Sequence, residues 1–417
     1  MFYGWKIVGL AFLTNFISVG FVFYSYGVFF KALAADFGGS RLGVSVGLTA
    51  MQGVSAAVAP IVGRMLDRGS AKPVMTIGAI LMGLGFIVAS TIGALWHFYL
   101  VFGLMMGVGV CMLGGLSSST LVANWFIGRR GTALGLATMG ISMSGVLMPP
   151  LGTALIGSIG WRSTFLVYAG IALCLLAPAV WLWVINRPED LGLGPDGGSP
   201  VGEVEVDHAA ARSAAILRDR NFWVIAAVIA LNFGSMGAIL THCVPHVTDR
   251  GFSPTAGAFV LSVMAGAGAT GKPVFGAITD RMDKRTALWL ASALQLVGVA
   301  LLLHANLYPA LLLAAAVFGF GMGGVVPLQG ALVGAAFGRH AFGRVMGMMA
   351  PAMLPISMIG VPFAGFIFDE TGSYEIAFQL FIGIFALSMV VLTALRLPEL
   401  EPGRAPEVAA APARPAP

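Results

Sequence analysis

The chain has 417 residues, of which 58% are hydrophobic and 10% are charged, and its formal net charge is +5. Soluble domains average about 25% charged residues, so this composition excludes a soluble enzyme, a nucleic-acid-binding protein and a secreted disulfide scaffold. A membrane helix needs about 20 mostly apolar residues, and the roughly 240 apolar side chains suffice for about twelve such helices. We therefore expect an all-α polytopic membrane protein.

Twelve apolar runs, numbered here as spans 1 to 12, follow one another along the chain. Charged residues or turn signals separate them. Span 1 begins at Trp5 and is too long for a removable signal peptide. The predicted spans are 5–30, 42–62, 73–93, 97–122, 132–157, 163–185, 221–247, 254–278, 286–305, 308–335, 345–368 and 374–395.

The basic residues predict the orientation of the spans. If the N-terminus is cytoplasmic, 18 of the 23 Lys and Arg residues fall in cytoplasmic segments and four fall on the opposite side. Cytoplasmic segments of membrane proteins carry this excess of positive charge. We expect a multi-pass protein of the cell (inner or plasma) membrane with both termini in the cytoplasm.

One segment without a hydrophobic run divides the spans six and six. Residues 186–220 are rich in Pro, Gly and charge, which is typical of a linker. The predicted domains are a six-helix bundle at 1–185, the cytoplasmic linker at 186–220 and a second six-helix bundle at 221–395. A Pro/Ala-rich cytoplasmic tail, expected to be disordered, occupies 396–417.

The two halves repeat each other. The pattern Gly-x-x-x-Asp-Arg at 63–68 recurs at 276–281, an offset of 213, and Phe165 pairs with Phe378 at the same offset. Such an internal duplication predicts two pseudo-symmetric bundles about an axis normal to the membrane, with the substrate site between them near the midplane.

These Gly-x-x-x-Asp-Arg loops resemble the signature loop of the major facilitator superfamily, and the resemblance implies the major facilitator fold. At the cytoplasmic end, a carboxylate and a guanidinium can pair with a neighbouring helix end and latch one state. The predicted conformational latch comprises Gly63, Asp67, Arg68, Gly276, Asp280, Arg281, Arg129 and Arg130.

Within that superfamily the chain resembles the monocarboxylate transporter branch, close to the bacterial oxalate/formate antiporter type. The segment 125–131, the Gly4-Trp5 pair and the Lys272-Pro273 pair carry this resemblance. Lys272 stands where members carry an arginine on span 8. The resemblance implies a transporter of small carboxylates.

Lys272 is the most informative residue because it lies inside span 8 and no Asp or Glu is predicted at the same depth in the membrane. An unpaired ammonium in a bilayer costs several kcal/mol, so it should face a cavity, find a partner or lose its proton. One reading is that Lys272 forms an anion site, and a single cation matches a monoanion better than a dianion. The other is a side chain that snorkels to the cytoplasmic interface or reaches Asp280, about 12 Å away along the helix.

Lysine in place of arginine predicts a coupling mechanism. Arginine keeps its proton, whereas a buried lysine can lose its proton and regain it when a carboxylate arrives. Substrate and proton would then cross as a neutral pair, which is anion–proton symport without an intramembrane Asp or Glu.

Span 7 contributes two further candidates. Asn232 and His242 lie with Ser235 and His246 within about 80° on one helical face. His242 is predicted to lend a proton or to line the outer mouth, and the alternative is a structural histidine near the headgroups.

Three candidates come from span 1 and one comes from span 10. Asn15 and Tyr26 share a predicted helical face, with Tyr24 close by. A tyrosine hydroxyl can donate to a carboxylate, although Tyr24 and Tyr26 fit an interfacial belt equally well. Gln329 is predicted to bind substrate, with interhelical hydrogen bonding as the alternative.

The sequence thus predicts a secondary active transporter of small organic monoanions that works by alternating access, with proton symport as the expected coupling. Alternatives are an anion/anion exchanger, an amphiphile exporter, or a metabolite sensor (transceptor) that binds without transport. The expected partners are the anion, protons and the lipid bilayer, with no cofactor, metal or nucleic acid, and a monomer is the expected state. No enzyme motif is present in the sequence.

Overall fold

All the regular secondary structure in the part of the chain that the structure describes is helical. The computed structural model describes residues 2–37, 41–69, 71–198 and 213–397. Ten stretches in these ranges are long and apolar enough to cross a membrane.

Those ten stretches account for eleven of the predicted spans, and a further helix accounts for the twelfth. Arg130–Trp183 contains both span 5 and span 6, because the backbone leaves helical geometry at Gly160 (φ 76°, ψ 163°). The 27-residue helix Arg41–Asp67 is span 2. The predicted all-α fold with twelve spans is confirmed. The break at Gly160 falls in the gap 158–162 between predicted spans 5 and 6, where a single glycine makes the turn.

Spans 1, 4 and 6 of the first half contain π-helical turns, in which hydrogen bonds run from residue i to i+5. Span 1 consists of Gly4–Val19, the π-turn Gly20–Tyr24 and Tyr26–Phe37. Span 3 is Ala71–Ser90, and span 4 runs through Leu95–Leu100, Val101–Met106, Gly107–Leu113 and Gly115–Trp125. Span 6 continues from Gly160 through the helix Arg130–Gly170, Ile171–Leu176 and Ala177–Trp183.

The spans of the second half are uninterrupted helices. Most are longer than the apolar runs that predict them, since their ends extend into polar residues. Spans 7 to 12 are Arg220–Asp249, Pro254–Arg281, Lys284–His304, Tyr308–Phe337, Phe342–Thr371 and Glu375–Leu392.

Each half has its own apolar core. In the first half, aromatic side chains stack at the centre, with the rings of Phe21 and Tyr168 4.0 Å apart. The second half has two apolar clusters, and a polar layer lies between them. In this layer the Asn232 oxygen accepts hydrogen bonds from Ser292 Oγ (3.3 Å) and Gln295 Nε2 (3.2 Å), and its amide donates to Ser388 Oγ (3.2 Å).

The linker is more regular than its composition predicts. Proline starts the 3₁₀ turns Pro188–Leu191 and Pro195–Gly197, and the linker also contains the short helix Ser213–Arg218. Residues 199–212 of the predicted linker and 398–417 of the predicted tail lie outside the described residues. The domain boundaries stay a prediction.

Candidate functional site

The two halves meet through glycines. A Cβ atom on Gly276 of span 8 would overlap the carbonyl oxygen of Gly131 in span 5, and one on Gly63 of span 2 would overlap that of Gly343 in span 11. Glycine lets helix backbones touch in this way. Spans 5 and 8, and spans 2 and 11, therefore pack backbone against backbone at the end of the molecule that carries the linker, the linker end.

At the linker end, two aspartate side chains each bind backbone groups of the other half. Asp280 of span 8 accepts hydrogen bonds from Gly131 N (2.6 Å), Thr132 N (2.8 Å) and Thr132 Oγ1 (2.6 Å) at the start of span 5. Asp67 of span 2 accepts from Gly343 N (2.7 Å) and Arg344 N (2.8 Å) at the start of span 11. Helix N-termini favour bound carboxylates because their N–H groups are unpaired and their dipole is positive. We call these two contacts the linker-end gate.

The arginines of the predicted latch have other surroundings. Arg68, Arg129 and Arg281 are exposed. Arg130 is buried, and its guanidinium donates to the carbonyl oxygens of Phe126 (3.1 Å) and Ala123 (3.3 Å) in its own half. Both carboxylates of the predicted latch thus meet the N–H groups of a neighbouring helix end, while these arginines lie elsewhere.

The first part of the linker also contacts both halves. Asp196 accepts hydrogen bonds from Ile127 N (2.9 Å), Gly128 N (2.7 Å) and Arg129 N (3.3 Å) in the first half. Glu189 forms an ion pair with Arg339 of the second half, with 2.6 Å between Oε1 and Nη2. The linker therefore adds a further link across the closed end.

Lys272 lies buried between the halves, with 6% of its surface exposed. Its backbone carbonyl packs against Gly135 of span 5, and its ammonium donates to Ser142 Oγ on the same span. Ser142 lies seven residues, or about 10 Å of helix rise, further from the linker end than Gly135, so the Lys272 side chain extends away from that end. Among the ion pairs of the described residues, none includes Lys272.

This direction contradicts the snorkelling alternative. Helical side chains tilt toward the N-terminus of their helix, and span 8 begins at Pro254, at the end opposite the linker. Lys272 therefore points away from Asp280, whose oxygens are taken by Gly131 and Thr132.

A cavity of about 240 Å³ separates the halves on the side of spans 2 and 11. We call it the interhalf cavity. Gln329 lines it, and the amide nitrogen donates weakly to Met353 Sδ (3.7 Å). Other residues that line the cavity include Ser55, Cys111, Leu116 and Ala350.

The span 1 candidates are not brought together. Asn15 donates to the Ala137 carbonyl (3.2 Å) and accepts from Ser118 Oγ (3.2 Å), which ties spans 1, 4 and 5 together. Tyr26 packs on Phe102, and the π-turn Gly20–Tyr24 breaks the 100° spacing by which Asn15 and Tyr26 were predicted to share a face. Tyr24 is 40% exposed, and its ring lies beside Gly145.

The predicted face of span 7 turns toward the interior of its own half. Asn232 belongs to the polar layer with Ser292, Gln295 and Ser388. His242 donates from Nε2 to the Val361 carbonyl (3.1 Å), which leaves Nδ1 to accept from the Tyr374 hydroxyl (3.2 Å). Both residues have protein partners and lie apart from the Lys272–Ser142 pair, so their assignment to substrate stays a prediction.

Sequence reasoning missed Ser142, Asp196 and the Glu189–Arg339 pair. A serine within a span full of small residues carries no distinguishing signal. Asp196 and Glu189 belong to a segment whose composition indicates a linker, and composition does not show which charges in such a segment are bonded.

Two helical bundles that meet at a gate, with a buried cation and a cavity between them, define a membrane transporter. The family comparison agrees, because the model of the Major Facilitator Superfamily matches residues 11–353 and 271–417. The chain belongs to the major facilitator superfamily. It is a multi-pass secondary transporter of small molecules and not an enzyme.

Curated relatives place it near one branch of that superfamily. The human protein called monocarboxylate transporter 11 is 29% identical over 388 residues, which cover 91% of this chain and 80% of the relative. Monocarboxylate transporter 13 of Rattus norvegicus is 28% identical over 384 residues, with 90% and 85% covered. The chain is thus similar to monocarboxylate transporters.

Solved structures show the same fold. The human organic anion transporter MFSD10 superposes with a TM-score of 0.69 at 17% identity, over 93% of this chain and 98% of the other. The E. coli fucose:proton symporter gives 0.69 at 14% identity, over 95% and 100%. At these identities the likeness concerns the fold alone.

Proposed function

We propose that the protein transports small organic monoanions, specifically monocarboxylates, together with a proton. The observation that carries this proposal is the Lys272 ammonium, buried between the halves on the neutral hydroxyl of Ser142. The names of the curated relatives support the same substrate class.

The charge of Lys272 suits a monoanion. A buried cation on an uncharged partner lacks the compensation that a counterion gives. A carboxylate that reaches Lys272 supplies that compensation, and one positive charge balances one negative charge. A dianion would leave an unbalanced charge at membrane depth.

Proton coupling follows from the choice of lysine. With no anion bound, a buried lysine is free to give up its proton, and a bound carboxylate favours the charged form. The anion and the proton then bind as a neutral pair. Moving a neutral pair across the membrane costs less free energy than moving the anion alone, because no net charge is buried.

Alternating access requires that the linker-end gate open and close. The backbone contacts of Asp67 and Asp280 hold the linker end closed in this conformation. Rocking of residues 1–185 against 221–395 would break them and open that end. The distribution of Lys and Arg supports a cytoplasmic linker end in the cell membrane.

A thermal-shift panel tests the site. Purified wild type, Lys272→Gln and the control Lys6→Gln, which removes an exposed lysine, are mixed with mono- and dicarboxylates. We expect a monocarboxylate to raise the melting temperature of wild type and Lys6→Gln but not of Lys272→Gln. Equal stabilisation of all three proteins would move the site elsewhere.

Counterflow separates transport from sensing. Proteoliposomes loaded with the unlabelled acid should accumulate the labelled acid transiently if the protein transports it. A transceptor would bind the ligand in the thermal-shift panel and exchange no label.

A further inference from the structure

Span 4 is interrupted inside the membrane-spanning part of the chain. One helix ends at Leu113, the next begins at Gly115, and the backbone of Gly114 between them leaves helical geometry (φ −79°, ψ −143°). A Cβ atom at Gly114 would stand 2.8 Å from the Val110 carbonyl oxygen, so the backbone leaves no room for a side chain there. The interruption gives span 4 a second helix N-terminus, that of the 11-residue helix Gly115–Trp125, which we call the inner helix start.

The N–H groups of the inner helix start lack the usual cap. The first bond of the helix runs from Ser118 N to the Gly114 carbonyl oxygen (3.0 Å), so the N–H groups of residues 115–117 have no acceptor within their own helix. A capping side chain at Gly114 would accept from one of them, but glycine has no side chain. Unpaired N–H groups are costly at membrane depth, and together with the positive end of the helix dipole they favour an anion.

Two buried serine hydroxyls lie at the inner helix start. Ser18 Oγ of span 1 is 3.3 Å from the point where a Cβ atom of Gly114 would stand, which is where a capping side chain would begin. Ser117 belongs to the first turn of the helix. Both serines are 0% exposed, and neither hydroxyl has a hydrogen-bond partner among the described residues. A buried hydroxyl without a partner is costly, so two of them at one helix start indicate a ligand.

The interhalf cavity gives access to the inner helix start. Gly115 and Leu116, which carry the first two of the free N–H groups, both line the cavity. A Cβ atom at Gly115 would have no atom within 4 Å, so open space adjoins the first residue of the helix. None of the residues described as lining the cavity is charged, so no carboxylate there would repel an anion.

We propose that the inner helix start, with the hydroxyls of Ser18 and Ser117, binds a small monoanion that enters from the interhalf cavity. Broken membrane helices direct their N-termini at anionic groups in this way. The donors are N–H and O–H groups without a cation, which suits an anion of the size and charge of chloride or acetate. The cavity of about 240 Å³ equals about eight water volumes of ~30 Å³, which admits either anion.

This site is separate from the proposed transport site. Lys272 and Ser142 do not line the cavity, and the monoanion bound at the inner helix start is a second anion. The inference therefore does not rest on the proposed function. To keep the two sites apart, every protein in the test carries Lys272→Gln, which removes the ammonium of the transport site.

Binding of radiolabelled chloride to the purified protein tests the site. Ser18→Ala and Ser117→Ala each remove one hydroxyl, and Gly115→Leu places a side chain in the open space beside the helix start. Ser90→Ala is the matched serine control, because this buried hydroxyl donates to the Ile87 carbonyl of its own helix (2.6 Å). Gly170→Leu is the matched glycine control, because a Cβ atom there also has no atom within 4 Å.

We expect the Lys272→Gln protein to bind chloride. Ser18→Ala and Ser117→Ala should each raise the Kd at least tenfold, since each removes a hydrogen bond to a charged group, and Gly115→Leu should abolish binding. Ser90→Ala and Gly170→Leu should keep the Kd within twofold. Bromide should displace the label and sulfate should not, because a dianion brings a second charge to a site without a cation. Displacement by acetate as well would identify a carboxylate as a ligand, and displacement by bromide alone would identify a halide.

Three results would overturn the inference. They are absence of chloride binding in the Lys272→Gln protein, equal binding in all of the variants, and equal losses in the variants and their matched controls. If a serine variant does not fold, Gly115→Leu decides alone, since its new side chain meets open space and its melting temperature reports folding. Loss of the transport site in the thermal-shift panel, with chloride binding intact, would contradict the proposed function and leave this site standing.

Discussion

Asp280 and Gly131 belong to different halves of the molecule, yet the Asp280 carboxylate accepts a 2.6 Å hydrogen bond from the Gly131 backbone N–H. Asp67 and Gly343 repeat this contact at 2.7 Å on the other side of the pseudo-twofold axis. The linker-end gate is therefore made of two equivalent carboxylate-to-helix contacts, and the proposed alternating access requires both to break.

Asp280→Asn should weaken the gate because an amide lacks the charge that strengthens the bonds to the helix N-terminus. A hydrogen bond to a charged group contributes about 1.5–3 kcal/mol, so we expect about a tenfold fall in Vmax with little change in KM. Uptake in proteoliposomes measures both. Asp67→Asn should act alike, and the exposed Asp369 provides a neutral control as Asp369→Asn. An unchanged Vmax in both gate variants would exclude this role.

Gly276→Ala should prevent close packing of spans 5 and 8, since its Cβ would overlap the Gly131 carbonyl. Gly266→Ala on the same helix has no atom within 4 Å of the new methyl group. We expect Gly276→Ala to lose most uptake and Gly266→Ala to keep it, with a melting temperature equal to or above that of wild type because alanine favours helix. A similar loss of uptake in both variants would mean that span 8 does not tolerate alanine in place of glycine at either position.

The Glu189–Arg339 pair should contribute to closure through charge. Both side chains are partly exposed (30% and 15%), so we expect about 0.5–1 kcal/mol for the pair. With a cysteine introduced at the linker end of the protein, Glu189→Arg and Arg339→Glu should each speed the labelling of this cysteine, and the double exchange should restore the rate seen without either change. A double exchange no better than the single changes would show that the pair does not couple the halves.

Lys272→Arg separates binding from proton coupling. Arginine still offers a cation to the carboxylate but keeps its proton at any biological pH. We expect counterflow to continue, while uptake driven by a pH gradient falls at least tenfold. Full gradient-driven uptake in this variant would mean that another group carries the proton.

His340, in the loop before span 11, should make folding stability depend on pH. Burial, and then the nearby Arg339 and Arg187 guanidinium groups, lower the pKa of His340 from its ordinary value of 6.5. Below that pH the unfolded chain binds a proton that the folded protein does not, so stability falls as the pH falls. His340→Gln should raise the melting temperature at pH 5 and leave it unchanged at pH 8. An equal change at both pH values would contradict this assignment.

The fold was predictable because its signals are repeated and strong. Apolar runs of membrane length define the spans, and the recurrence of Asp67-Arg68 at Asp280-Arg281 indicates the duplication. The family and the fold predicted from these patterns are confirmed. The pairing of the carboxylates with a helix end was predictable, but not which helix each one meets, because backbone N–H groups leave no trace in the sequence.

The site was predictable only in part. Lys272 stands out because charge is rare at membrane depth, but its direction depends on the helix polarity and on Ser142. Asn15 and Asn232 carry the same signal of a buried polar residue, yet their amides bond to neighbouring spans. Sequence periodicity gives the face of a helix, and packing decides which neighbour that face meets. The π-turn Gly20–Tyr24 changes even the periodicity.

Gly160 joins spans 5 and 6 with a single non-helical residue. Because the connection is a single residue, a tilt of span 5 should also displace the start of span 6. Span 5, whose start binds Asp280 at the linker end, should thus move together with span 6. Trp181 and Trp183 of span 6 are each 55% exposed. Bilayer thickness and lateral pressure should consequently act on the opening of the linker end through these tryptophans.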